Sequence, residues 1–146
     1  MDTLKKACGY CIYQERTQQE VREKLKSWGV SPAEAEEVIA WLICENFINE
    51  GRYARQFAGG KFRVKKWGRR KITYELKARG ISPNGVREAL TEIDEEEYIQ
   101  TLKGLASAKA ATLSQETNPL ILQKKVTSYL LMKGYEPDLI REIMDN

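Results

Sequence analysis

Apolar residues along this chain recur at helical spacing, and one short pattern of them occurs three times. Val21 and Leu25 precede Gly29-Val30-Ser31-Pro32, Ile72 and Leu76 precede Gly80-Ile81-Ser82-Pro83, and Val126 and Leu130 precede Gly134-Tyr135-Glu136-Pro137. Each apolar pair is spaced i, i+4, and each Leu stands four residues before its Gly. The pattern reads as a helix stop followed directly by a helix start. Gly takes the left-handed conformation just past the end of a helix, and the apolar residue after it folds back on the finished turn. Ser31, Ser82 or Glu136 then caps the first free amides of a new helix, and Pro fits its first position, where no N–H is missed. Thr17-Gln18-Gln19-Glu20 and Ser31-Pro32-Ala33-Glu34 are capping-box sequences.

Each Pro opens a second helix with its own apolar stripe: Ala35, Val38, Ile39 and Leu42, then Val86, Ala89 and Leu90, then Leu139, Ile140 and Ile143. A further helix precedes each pattern, over Leu4 to Tyr13, Arg52 to Lys66 and Glu95 to Ala111, with a polar loop from Thr112 to Pro119. No alternating β-branched run competes. The prediction is an all-α chain of three tandem three-helix repeats, covering 1–48, 49–93 and 94–146. A unit of about 50 residues buries only a marginal core. Each is therefore expected to lean on its neighbour in an elongated body with room to curve.

Composition removes much ordinary enzymology. The 146 residues include no His, which excludes Ser/His and Cys/His nucleophile pairs and imidazole as ligand or proton shuttle. Cys8 and Cys11 have metal or redox spacing, but only Cys44 could join them, short of a four-ligand zinc site. The thiols are read as small apolar filler, with no metal or cofactor expected. Asp94-Glu95-Glu96-Glu97 falls at a helix start, where negative charge is favourable. No Gly-rich phosphate loop is found, and no catalytic constellation. An odd cysteine count without a leader-like segment, and no apolar run long enough to span a membrane, give the expectation of a reducing, cytoplasmic location.

Charge changes the picture most. The net charge is only +3, but residues 52–79 hold eleven basic residues against the single acid Glu75, leaving thirteen basic and twenty acidic residues elsewhere. A strongly basic middle in an acidic chain suggests a polyanionic partner. On a helical wheel from Arg52, Tyr53, Phe57 and Val64 cluster on one side, and Arg55, Arg63, Lys65 and Lys66 on the other. In the next helix Ile72 and Leu76 oppose Arg70, Tyr74 and Lys77. A solvated helix face usually interleaves both signs for i, i+4 pairing, and here only Glu75 is available. Phe62 lies on the basic side if the helix is continuous, where a ring could stack on a base. A phase shift at Gly59-Gly60 would return it to the core, and both placements stay open. Trp67 is read as a buried corner, with Gly68 ending the helix before it; Trp28 and Trp41 are read as packing residues.

These residues together resemble the RecX regulators of the bacterial RecA recombinase, built from tandem three-helix repeats. The resemblance runs through Glu15-Arg16-Thr17-Gln18-Gln19-Glu20-Val21, Lys24-Leu25 and Gly29 in the first unit. It is most specific in the second, in Phe47-Ile48-Asn49-Glu50-Gly51-Arg52-Tyr53-Ala54 with Phe57, Lys61-Phe62, Trp67-Gly68-Arg69-Arg70-Lys71-Ile72, Glu75-Leu76 and Arg79-Gly80-Ile81. Gly51 stands where related sequences tend to carry a charged residue. The third unit matches through Tyr129-Leu130 and Gly134-Tyr135. The resemblance implies a non-catalytic, monomeric regulator of recombination and DNA repair that lodges in the groove of the RecA–single-stranded DNA filament and dampens ATP hydrolysis and strand exchange. In that picture Arg52, Arg55, Arg63, Lys65, Lys66, Arg69, Arg70, Lys71 and Lys77 hold the complex electrostatically, with direct DNA contact through the basic unit. Two alternatives remain: a stand-alone DNA-binding module using a helix after a Gly-x-Ser-Pro turn, and a protein-interaction scaffold that leaves the basic face idle.

Overall fold

A computed structural model describes residues 2–145. Among them the chain is all helical: α1 (Thr3–Tyr13), α2 (Gln18–Ser27), α3 (Pro32–Cys44), α4 (Glu50–Gly60) with a π turn (Lys61–Lys65), α5 (Arg69–Ala78), α6 (Pro83–Leu90), α7 (Glu95–Thr112), α8 (Pro119–Lys133) and α9 (Pro137–Met144). The helices form three successive sets of three. Accessible surface is 9130 Å², against roughly 7,700 Å² for a compact monomer of this mass, the excess expected of an elongated repeat body.

The local signals act as their chemistry requires. Thr17 and Glu20 form a reciprocal capping box, and Asn49, Ser31, Ser82 and Asp94 each accept a hydrogen bond from an amide in the first turn of their helix. Gly29, Gly80 and Gly134 take φ of 80°, 83° and 102°, and the apolar residue after each donates its N–H back to the Leu of the pattern. Glu136 departs from expectation. It occupies the N-cap position of α9 without capping it, because its carboxylate is drawn to Tyr98 and Arg69.

Two cores form. The first repeat packs Ala7, Val21, Leu25, Ile39, Leu42 and Ile48 into a core of its own. The second and third share one, running from Ala54, Phe62 and Ile72 through Tyr98 and Leu102 to Leu130, Tyr135 and Ile140. Within the second repeat α4 and α6 approach closely through Ala54 and Ala58 on one side and Gly85 and Ala89 on the other. Glu50 at the start of α4 accepts hydrogen bonds from the Ser82 amide and hydroxyl at the start of α6, both at 3.0 Å. The thiols are not uniformly filler. Cys11 is buried, Cys8 half-buried, and Cys44 is exposed at the end of α3; burial pushes the Cys11 thiol up to about 11.

The second and third repeats are joined where α5 begins. Gly68 does not end the preceding helix; Lys66 does, in the left-handed conformation at φ 58°. Gly68 is instead the N-cap of α5 and lies against the Gly134 turn, so that an added Cβ would stand 2.3 Å from the Gly134 carbonyl carbon. A Cβ on Gly134 would stand 2.4 Å from that of Lys71. The equivalent Gly29 has open space around its missing Cβ. Gly29→Ala should therefore cost only left-handed strain, about 1–2 kcal/mol. Gly134→Ala adds a steric clash worth about 1–3 kcal/mol more. Urea unfolding of the two variants checks the difference, and equal losses would contradict the close approach.

Candidate functional site

The basic face is assembled around Lys65–Lys71, and its shape depends on the π turn. One extra residue in the turn rotates everything beyond it relative to a regular helix. Phe62 therefore enters the core at 4% exposure, with its ring centroid 5.8 Å from that of Tyr98, while Val64 is carried outward to 77%. This settles the placement of Phe62 and corrects that of Val64, which a continuous helix would put beside Tyr53 and Phe57.

The third repeat clamps this segment at both ends. Tyr135 donates its hydroxyl to the Lys66 carbonyl and Lys133 its ammonium to the Lys65 carbonyl, each at 2.8 Å. On the α5 side the Gly68 N–H donates to the Lys133 carbonyl (2.8 Å) and the Arg70 N–H to the Gly134 carbonyl (2.9 Å). The Arg69 N–H donates to the Tyr98 hydroxyl (2.9 Å). The first amides of α5, which no side chain at its own N-cap serves, are thus satisfied by the neighbouring repeat. The Tyr98 and Tyr135 hydroxyls are both protonated at neutral pH, as any phenol is, and burial raises them above the usual phenol range.

The nine sequence candidates separate by partner. Arg52 turns toward the first repeat: its Nε meets Glu15 at 2.6 Å and its Nη2 the Asn46 and Phe47 carbonyls. Arg69 lies 3.8 Å from the Tyr98 ring centroid and pairs with Glu136 (2.8 Å) and Glu95. These two arginines join repeats. Arg55 stands 3.9 Å from Glu92 at the surface. Arg63, Lys65, Lys66, Arg70, Lys71 and Lys77 have no acidic partner within 4.0 Å among the described residues. Lys71 and Lys61 place their ammonium groups 4.6 and 5.1 Å from the Trp67 ring centroid, so that the half-buried indole supports two cations. Tyr74 projects from α5 at 71% exposure, on the side that carries Arg70 and Lys77.

One member was not found from sequence. Lys133 comes from the third repeat, and its pKa is lowered by burial and by Lys71, Lys65 and Lys66. A side chain 62 residues beyond Lys71 thus joins a cluster of like charges. The only sequence signal is its place immediately before a stop glycine, which says nothing of where that turn docks.

The remaining features of the chain do not extend this face. A cleft of about 270 Å³ between the first two repeats is lined by Arg16, Arg22 and Arg79. Each guanidinium is already engaged, by the Tyr10 carbonyl, Glu36 and Glu75 respectively. Among the described residues no group of three Cys, Asp or Glu could hold a metal ion, and no helix is long and apolar enough to cross a membrane.

The class defined by this architecture is an all-helical tandem-repeat protein with an acid-poor cationic ridge at the junction of two repeats. Residues 4–42 match the family model for the RecX first three-helix domain, and residues 49–90 that for the second. The chain is 32% identical over 148 residues to regulatory protein RecX of Prosthecochloris aestuarii, covering 97% of this chain and 91% of that one. It is also 32% identical to regulatory protein RecX of Clostridium acetobutylicum, here covering 88% of this chain and 61% of the relative. The crystal structure of RecX from Lactobacillus salivarius superposes with a TM-score of 0.88 at 28% identity, covering 97% of this chain and 92% of that one. The chain belongs to the RecX family of regulatory proteins.

The π turn gives a direct test of how the face is built. Phe62→Ala should cost about 3–5 kcal/mol as a core truncation. Val64→Ala, at an exposed site, should stay within about 0.5 kcal/mol. Thermal or urea unfolding reads both, and a large loss at Val64 would restore the continuous helix.

Proposed function

We propose that this chain regulates homologous recombination in the cytoplasm by binding, as a monomer, to the RecA–single-stranded DNA filament and damping its ATP hydrolysis and strand exchange. The observation that carries the reading is the ridge of Lys65, Lys66, Lys71 and Lys133, gathered where the third repeat hydrogen-bonds the Lys65 and Lys66 carbonyls, with like charges close enough to lower the Lys133 pKa. Like charges held together without acids destabilise the free protein, and a polyanion relieves that repulsion on binding. Arg63, Arg70 and Lys77 widen the cationic surface, and the exposed Tyr74 offers a ring on which an unpaired base can stack. The interior is spared, because Arg52 and Arg69 are retained by Glu15, Glu95 and Glu136.

A stand-alone duplex reader is less well supported. Helix α6 follows the Gly80-Ile81-Ser82-Pro83 turn, but spans only eight residues, and its Arg87 is turned back on Asn84 at 2.8 Å. Such a helix offers few side chains to base edges in a major groove.

DNA-dependent ATP hydrolysis by RecA, measured with and without the purified chain, tests the reading. Addition should lower the steady-state rate. Charge reversal of Arg70 with Lys77 should weaken that inhibition several-fold with helix content unchanged by circular dichroism. If both residues contact phosphates of a single strand, their removal should lower the logarithmic salt slope of binding by about 1.4. Unchanged inhibition in the variant would show the ridge to be ordinary solvent surface. Tighter binding to bare duplex than to RecA-coated strands would overturn the regulator reading.

A further inference from the structure

Helix α8 carries apolar residues on both sides. Its inner side gives Val126 and Leu130 to the core, with Leu122 and Tyr129 packed beside them. Its outer side leaves Leu120 at 75%, Met132 at 66%, and Ile121 and Leu131 at about two-fifths exposure. These four form two pairs eleven residues apart, about 16 Å along the helix. Between the pairs the same side presents Lys124, Lys125 and Ser128. Open grooves run along both flanks of this side. One, of about 590 Å³, lies between α7 and α8 beside Tyr129, and one of about 470 Å³ between α8 and α9 beside Ile140 and Met144. Lys109 and Arg141 extend the positive rim, and no acidic residue lines either groove.

A surface helix ordinarily confines its apolar residues to one stripe. Here a second stripe is kept in water, in the order apolar, basic, apolar. That order selects among occupants. A second copy of the same face would bring Lys124 and Lys125 against their own equivalents with no acid on either helix, an unfavourable contact. A segment with the opposite charge between two apolar anchors fits both the spacing and the sign.

We propose that the outer face of α8, with its two flanking grooves, is a docking surface for an amphipathic helix of a partner protein. That helix carries apolar anchors about three turns apart and carboxylates between them. The docking is independent of the cationic ridge and holds whether or not the ridge meets nucleic acid.

Fluorescence anisotropy with a labelled 18-residue helical peptide, bearing Leu pairs eleven residues apart and Glu pairs between them, tests the inference. The full chain should bind this peptide at least tenfold more tightly than versions with Lys for Glu or Ser for Leu. Leu131→Ser combined with Met132→Ser should lose binding tenfold or more while the circular dichroism spectrum is unchanged. Lys124→Glu with Lys125→Glu should shift preference to the Lys peptide. The proposal is overturned if the Ser-for-Leu peptide binds equally well, since charge alone then suffices. It is also overturned if phosphatidylglycerol vesicles displace the peptide and bind more tightly, or if sedimentation shows a dimer that Leu131→Ser with Met132→Ser dissociates.

Discussion

The amino end of α5 is capped by another repeat, and the architecture turns on that contact. Three successive amides, of Gly68, Arg69 and Arg70, donate to the Lys133 carbonyl, the Tyr98 hydroxyl and the Gly134 carbonyl. In return the carbonyls that close the π turn accept from Lys133 and Tyr135. The positive end of one helix therefore meets the negative end of another, α8, at hydrogen-bond distance. Such close backbone approach leaves no room for a Cβ on either glycine. Buried amides without partners are costly, so these bonds are what allow the junction to close, and separating the repeats would expose to water the core that Tyr98 and Tyr135 close.

This junction also explains why charge can accumulate there. Lysines at the end of a flexible loop would spread apart to relieve repulsion. Lys65, Lys66 and Lys71 have less room to do so, because the backbone between them is held at five points by the third repeat and only their side chains can move. The arginine nearest the junction is managed differently. Arg69 is flanked by Glu95, Glu136 and the Tyr98 ring, so the one cation closest to the shared core is paired while the outer ones face solvent. Arg52 and Glu15 make the corresponding tie on the other side of the second repeat, between separate cores. The second repeat is thus anchored to both neighbours through arginines and leaves chiefly lysines, Arg63 and Arg70 unpaired by acids.

Much of the fold was legible because its signals are local. A stop glycine, an apolar fold-back residue and a proline act within one turn in all three patterns, with a serine cap in the first two. The π turn was legible only as a phase shift left open by Gly59-Gly60, since Lys61-Phe62-Arg63-Val64-Lys65 carries nothing that distinguishes a wide turn from a regular one; the phase is set by Phe62 reaching Tyr98 in the third repeat. For the same reason Glu136 looked like a cap and Arg52 and Arg69 looked like free surface charges. Their partners lie 26 to 67 residues away in the chain, beyond any local pattern. Lys133 was hidden by the converse effect, an isolated lysine whose neighbours are brought to it only by docking. Charge counted along the sequence therefore picks out the basic segment, but not which of its cations pair with acids in a neighbouring repeat.

The two surfaces place different demands on what they meet. The ridge at Lys65–Lys71 has a held backbone and, by its charge, a long reach, and its attraction weakens with salt. The outer face of α8 is mostly apolar, short-ranged and little affected by salt, with Lys124 and Lys125 setting only the sign of what can lie across it. If the proposed roles hold, the first surface would draw in a polyanion from a distance and the second would discriminate one protein segment from another. Residues on the outside of α8 are not needed by the core, since Val126 and Leu130 already fill the inner side. Water contact with Leu120 and Met132 is a standing cost with no structural return within the chain, and a partner of the proposed kind is a setting in which those side chains would contribute stability.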